Sequence, residues 1–327
     1  MQKKFIALAV AGVLAAPIAA SADSANVEIY GKMHASWDFV DESTGADNDG
    51  TGVMRQSIFG LKGAEDLGNG MKAVWQIETL VNTTSAGNTG GLAQRPAFVG
   101  LSGDWGTFAM GRQEAPYKIS TGKVDLFGDT IGDYNTIIST GADSFENRAH
   151  QAVAYVTPTM NGFHAAIARV AAVNADDDLW SLAAVYSNGP LFVGFGYETH
   201  DISALANLNS DDAWKIGAAY SFGDSRIGGV YENIDVGSGG DIDNYVINFA
   251  QKFGNNTFKI QYGNSDRGAD ADYWAVGVDH NFSKRTKVYA IYADAEPGLA
   301  LNGGNELFGN YTGGDTDAFS FGIVHSF

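Results

Sequence analysis

The sequence predicts an all-β protein, a sixteen-stranded antiparallel barrel that closes on itself across a membrane. Three observations carry that prediction. Apolar and polar residues alternate with period two through most of the chain, the mark of strands with one face in water and one out of it. Short and long connections between those segments alternate without exception, as in outer-membrane barrels with tight turns on one rim and long loops on the other. After residue 22 no segment approaches the ~18 uninterrupted apolar residues of a membrane helix, whereas a barrel strand needs only ~9–11 alternating ones.

The first 22 residues read as an export leader. Lys3 and Lys4 form a basic start, Phe5 to Ala19 is apolar, and Ala20-Ser21-Ala22 is a small-residue cleavage site. The expected division is therefore a signal peptide, 1–22, and one barrel domain, 23–327. From Val27 the alternation begins: Val27, Ile29, Gly31, Met33, Ala35 and Trp37 share one face, and Glu28, Tyr30, Lys32, His34, Ser36 and Asp38 the other. Asp41 to Gly52 reads as an acidic, glycine-rich loop. Strands Met54 to Glu65 and Met71 to Val81 flank a turn at Asp66 to Gly70.

The hairpin then repeats. Further short turns are expected at Asp104-Trp105-Gly106, Pro158 to Gly162, Asn188-Gly189-Pro190, Gly223-Asp224, Gly254 to Asn256 and Ser283 to Arg285. Long polar connections fall at 82–93, 114–146, 174–178, 201–211, 236–242, 266–272 and 296–315. The total is sixteen strands, seven short turns and eight long loops. A soluble sandwich has no reason to gather its short connections at one end. Aromatics near strand ends, among them Trp180, Tyr220, Tyr245, Tyr262 and Trp274, read as girdles at a lipid–water interface. Closure also removes every unpaired strand edge, which lipid penalises heavily. The last strand puts Phe319, Phe321, Ile323, His325 and Phe327 on one face, so the chain ends on an aromatic that reads as a tag for barrel-assembly machinery.

Composition excludes several functions. With no cysteine, disulfides and thiolate metal sites are ruled out. Net charge is −18, or −20 once Lys3 and Lys4 leave with the leader, which argues against nucleic acid and favours cations or divalent bridging to anionic lipid. The six histidines lack metal spacing and no motif joins a serine to a histidine, so neither cofactor nor enzymatic activity is expected. Acidic clusters at Asp41-Glu42 with Asp47 and Asp49, at Asp176-Asp177-Asp178 and at Asp211-Asp212 read as solvated loop tips, with lipopolysaccharide bridging as a second reading.

One connection stands apart. Glu114 to Asn147 is too long for an ordinary loop and carries Asp125, Asp129 and Asp133 among aromatic and small residues. In a closed barrel it can fold inward and narrow the lumen.

Five stretches in order, IYGK (29–32), FGLKGAEDLGNGMKAVWQIE (59–78), RPAFVGLSGDWGTFAMGRQ (95–113), ENR (146–148) and the terminal HSF (325–327), resemble the general bacterial porins over the whole mature chain. That resemblance implies a homotrimeric outer-membrane channel of a Gram-negative bacterium for ions and small hydrophilic solutes, seated in lipid and lipopolysaccharide. Its third long loop would form a constriction. By motif, Lys32, Arg95 and Arg148 correspond to the family's basic wall, and Asp125 and Asp129, with Asp133 beside them, to its acidic side. His34 and His150 are further candidates for the lumen. The chain departs from the family at Ile58, where an arginine is frequent, with Arg55 assigned by parity to the opposite face. It departs again at Leu126-Phe127-Gly128, which lacks one acid, and at Ala154. The expectation is a passive channel of modest cation preference, with loop acids and wall bases facing each other across an open gap. The alternatives are a channel selective for a sugar or an anion, for which Tyr117, Phe127 and Tyr134 are too few an aromatic track, and a plugged structural barrel.

Overall fold

A computed structural model describes residues 26–44, 48–81, 95–139, 145–146, 148–171, 178–201, 212–236, 240–267, 270–301, 311 and 314–327. The expected leader and the acidic positions Asp47, Asp176, Asp177 and Asp211 lie outside the described residues. The strands are β1 (Asn26–Glu42), β2 (Asn48–Met54), β3 (Ile58–Gly68), β4 (Met71–Leu80), β5 (Ala97–Gly103), β6 (Gly106–Glu114), β7 (Arg148–Val156), β8 (Phe163–Ala171) and β9 (Asp178–Asn188). They continue as β10 (Leu191–Asp201), β11 (Asp212–Phe222), β12 (Ser225–Asp235), β13 (Asp241–Phe253), β14 (Asn256–Ser265), β15 (Ala271–Asn281), β16 (Thr286–Ala295) and β17 (Thr316–Ser326). One short helix, α1 (Pro116–Thr121), and a 3-10 turn at Tyr134–Thr136 lie in the connection between β6 and β7.

All neighbours pair antiparallel, and β17 returns to β1 from Lys32 opposite Ser326 to Glu42 opposite Thr316, so the barrel is closed. β2 and β3 lie end to end along β1 and form one interrupted stave; the seventeen described strands thus make the sixteen staves expected. The break has a definite geometry. Ala35 is opposite Met54 while Lys32 is opposite Ile58, so three steps on β1 face four on its partner and one residue of Arg55-Gln56-Ser57 is extra.

Two expectations change here. The loop expected over Asp41 to Gly52 is shorter, because β1 runs to Glu42 and β2 starts at Asn48. Gly50 and Gly52 lie against the Trp37 ring, and at Gly50 a side chain would collide with it, so this glycine-rich stretch packs as strand. Arg55 faces inward, because the extra residue flips the alternation on which its outward assignment rested.

Elsewhere, apart from local bulges, the alternation holds. Ile29, Trp37, Phe195, Ile216, Ile247, Ile260, Phe321 and Ile323 are exposed on the outer face, while His34, Asp38, Gln76, Lys215, Glu232 and Ser320 are buried on the inner one. Trp214 packs on Tyr231, Tyr245 on Tyr262 and Trp274 on Tyr292 near the long-loop rim, with ring centroids 5.3–6.2 Å apart. Trp105 stacks on Tyr155 at the short-turn rim at 6.4 Å. These two belts match the amphipathic preference of Trp and Tyr for a membrane interface. The seven short turns fall where expected; at two of them Gly223 (φ 60°) and Gly254 (φ 59°) supply the left-handed residue a two-residue hairpin requires. The terminal Phe327 pairs with Gly31 through both backbone bonds, and its ring covers Gly31.

The largest apolar cluster lies inside the barrel. Val124, Phe127, Ile131, Tyr134, Ile137 and Ile138 of the long connection pack on Val185, Phe192, Val230, Val246, Tyr273, Ala275 and Ile291 of the wall. Apolar residues thus interrupt an otherwise polar inner face along the loop's path.

Candidate functional site: the loop inside the barrel

The described residues of the third long connection, 115–139 and 145–146, run from the long-loop rim down the inner wall and back. Pro116 fixes the start of α1. The Tyr117 backbone N–H donates to Ser181 Oγ on β9 at 2.8 Å. Ser120 lies on Gly194 and Gly196 of β10, Thr121 on Gly217 of β11, and Val124 on Gly228 of β12, where Asn248 of β13 donates to the Val124 carbonyl at 3.0 Å. Lys259 of β14 donates to the Leu126 carbonyl at 3.0 Å, and its ammonium sits 4.4 Å from the Phe127 ring centroid. On the return, Gln261 donates to the Gly132 carbonyl at 3.1 Å and Ile137 covers Gly263. The wall presents glycine where the Ser120 carbonyl meets Gly194 and where loop side chains press on Gly196, Gly217, Gly228 and Gly263, because a Cβ there would occupy the loop's space.

Buried polar contacts pin both arms. Glu232 of β12 accepts from the Tyr117 hydroxyl at 2.5 Å, the Ser139 N–H at 2.6 Å and Asn244 Nδ2 at 2.9 Å. Lys215 of β11 pairs with Glu146, and Lys118 donates to the Glu146 carbonyl at 2.9 Å. Phe145 stacks on His200 at 4.3 Å.

The predicted acids take three different positions. Asp125 accepts the Phe127 N–H at 2.8 Å; burial and then the Asp133 charge push its carboxyl well above the usual range. Asp133 caps the 3-10 turn, accepting the Asn135 N–H at 2.9 Å and the Asp129 N–H at 2.8 Å. Burial, reinforced by the charge on Asp129, pushes Asp133 up to about 6. Asp129 has φ 63° and forms an ion pair with Lys32 of β1. Burial opposes its charge, but the Lys32 ammonium outweighs burial and holds the carboxyl at about 2. The open gap expected between loop acids and wall bases is therefore closed at this pair.

The other wall bases are also paired. Arg95 forms an ion pair with Glu78 of β4 and donates to Gln56 at 2.6 Å, and Arg148 donates to Glu114 at 2.7 Å. Arg55, missed as a lumen residue, is fully buried in an ion pair with Asp38, which also accepts from Ser320 at 2.7 Å and Tyr311 at 2.9 Å. Glu78 and Glu114 were missed as well, although alternation along MKAVWQIETL puts Glu78 on the face of Gln76. His34 faces inward but is buried against Tyr289, with ring centroids 5.6 Å apart. His150 is exposed and sits in a bulge where Gly111 and Gln113 face Ala152 and Ala149, which interrupts the count that placed it in the lumen. Among the described residues no group of three His, Cys, Asp or Glu is arranged to hold a metal.

A closed barrel with an apolar outer face and a charged interior is a membrane-spanning barrel by construction. Comparison with known proteins agrees. The family model described as Gram-negative porin matches residues 7–297. Outer membrane porin protein 32 of Delftia acidovorans is 30% identical over all of both chains. The major outer membrane protein P.IB of Neisseria meningitidis serogroup B is 29% identical, over 88% of this chain and 91% of its own. Among solved structures, an anion-selective porin from Comamonas acidovorans superposes with a TM-score of 0.77 at 26% identity, covering 93% of this chain and all of its own. OmpT of Vibrio cholerae, at 18% identity and a TM-score of 0.72 over 94% of this chain and 99% of its own, shares the fold. The chain belongs to the Gram-negative porin family. It is a diffusion channel of the outer membrane and not an enzyme.

Proposed function

We propose that the chain is a passive channel for ions and small hydrophilic solutes, with the connection 115–147 as its constriction. The observation that carries this reading is the seating of that connection along glycines of β10, β11, β12 and β14, with Asp129 reaching across to Lys32. A loop held at both ends and along its length narrows a lumen without sealing it. The aperture in this reading lies between the loop and the wall that carries Lys32, Arg95 and Arg148, with Asp125 and Asp133 supporting the loop from within.

Because those bases are already paired with Asp129, Glu78 and Glu114, the constriction is close to neutral and selectivity is weak. Its sign then follows the acidic long connections and favours cations modestly. A second reading, anion preference, is supported by the similarity to a porin described as anion-selective.

The chain acts as a homotrimer in this proposal, meeting its copies through the outer faces of β1, β3 and β17. On those faces Gly31 and Gly63 are covered by the rings of Phe327 and Trp75, so the contact surface is aromatic and aliphatic. The leader 1–22, recognition of Phe327 by barrel-assembly machinery and seating against lipopolysaccharide belong to the same proposal.

Recording in planar bilayers tests it. Discrete conductance steps that scale with salt concentration are expected, with a reversal potential in a KCl gradient on the cation side. A silent bilayer from folded protein means a plugged barrel, and an anion-side potential establishes the second reading.

A further inference from the structure

Most inward-facing cations of this barrel are held by a carboxylate: Lys32 by Asp129, Arg95 by Glu78, Arg148 by Glu114, Lys215 by Glu146, and Lys259 and Lys287 by Asp279. Two that are linked through a backbone carbonyl are not. Lys123 is exposed at the lowest point of the seated loop, its ammonium 5.7 Å from the Phe192 ring centroid. Arg226 projects from the inner face of β12, two residues past the Gly223-Asp224 turn, and one of its N–H groups donates to the Lys123 carbonyl. Neither forms an ion pair with a carboxylate among the described residues. We propose that Lys123 and Arg226 form a binding site for a divalent oxyanion of the phosphate type, on the short-turn side of the loop. It rests on the channel reading only in that the ligand arrives through the lumen.

The chemistry fits the two groups. A guanidinium presents a planar fork of donors, and the one bond to the Lys123 carbonyl leaves others for an oxyanion. The Lys123 ammonium, beside the Phe192 ring on a flexible four-carbon stem, adds a second compact charge on the residue whose carbonyl the guanidinium holds. A monovalent halide can neutralise one cation, whereas a divalent oxyanion can bridge both. Nearby groups do not cancel the site. Asp125 is the carboxyl within electrostatic reach of Arg226; it is turned into the loop, accepting the Phe127 N–H at 2.8 Å, and burial and the Asp133 charge push it above the usual range. His164, on the inner face of β8 and within electrostatic reach of Lys123, adds a donor and no negative charge. The position is distinct from the Lys32–Asp129 contact and from the Arg95 and Arg148 wall.

The test is phosphorus NMR of inorganic phosphate titrated with purified folded protein in detergent at fixed ionic strength. Wild type should broaden the phosphate line, sulfate should reverse the broadening, and chloride at equal ionic strength should not. Lys123→Ala with Arg226→Gln should weaken apparent phosphate affinity at least tenfold, while Lys284→Ala at a short turn should leave it unchanged. KCl conductance of the double variant in bilayers reports separately on channel integrity. Unchanged broadening in a conducting double variant, or equal competition by chloride, would overturn the site while leaving the channel reading intact.

Discussion

Tyr117 and Glu232 meet at 2.5 Å behind the long loop, and the same carboxylate takes the Ser139 N–H from the loop's other arm at 2.6 Å. One side chain of the wall thus holds the descending and ascending limbs together. Hydrogen bonds to a buried charge contribute about 1.5–3 kcal/mol each. Glu232→Ala should therefore loosen the loop, seen as noisier open-channel current and faster protease cleavage between 115 and 147. The strand ladders are untouched, so the heat at which the barrel unfolds in detergent should move little.

Lys32 and Asp129 are the loop's contact with the opposite wall. Asp129→Asn leaves the Lys32 charge uncompensated in the aperture and should shift permeability toward anions. Lys32→Ala should shift it toward cations, as should Arg148→Ala, which leaves Glu114 with one base fewer. Charges ~8 Å apart interact by about 0.5 to 2 kcal/mol between bulk water and an effective dielectric of 20, so each change should be roughly two- to tenfold in permeability ratio. Asp125→Asn should do less, because burial and the Asp133 charge already push that carboxyl above the usual range and it sits behind the loop rather than against the opposite wall. Reversal potentials of the four variants in one salt gradient check the ranking.

Acidity should act through Asp133. Its value in the folded loop, about 6, lies above the ordinary 3.8, so its neutral form favours the folded loop. That contribution is full below about pH 4 and is lost as pH rises through 6. Asp129 has the opposite sign: its value of about 2 makes the ion pair with Lys32 stabilising above about pH 4 and lost only near pH 2. Cation preference should accordingly rise between pH 5 and pH 7 as Asp133 gains charge. Asp133→Asn should flatten that rise, as measured by reversal potential against pH.

The glycine seat can be tested from the wall side. A Cβ on Gly217 would lie 2.8 Å from Thr121 Cγ2 and 3.1 Å from Thr121 Cβ. Gly217→Val should displace the loop at a cost of about 1–3 kcal/mol, the usual range for overpacking, and alter conductance. Ala218→Val, one residue along on the lipid face, should leave conductance at the wild-type step.

The barrel was legible because period-two alternation and punctuated turns are local signals. Trp37 beside Asp38 in β1, or Ile216 beside Lys215 in β11, declares its face without reference to any other strand. Arg55 was not legible, because one extra residue between Met54 and Ile58 inverts the alternation and no spacing in the sequence marks it. The loop's seat was hidden for another reason. Gly194, Gly217 and Gly263 read as neutral strand residues, and only the approach of Ser120, Thr121 and Ile137 gives them a purpose. Lys32 and Asp129 were both anticipated as facing residues, but their closure into an ion pair depends on how far the loop crosses the lumen, a long-range quantity.

The seated loop itself is open to a direct test, because the chain has no cysteine to interfere. The ideal Cβ of Gly196 lies 3.2 Å from Ser120 Cβ, so a shift of a few tenths of an ångström brings the pair to the roughly 3.5–4.5 Å found across a disulfide. In the variant Ser120→Cys with Gly196→Cys, oxidation of the folded protein should join loop to wall, seen as loss of both free thiols and a linked tryptic peptide pair, with conduction retained. Two free thiols that both react with a maleimide in the folded barrel would mean that the loop does not lie against the inner wall.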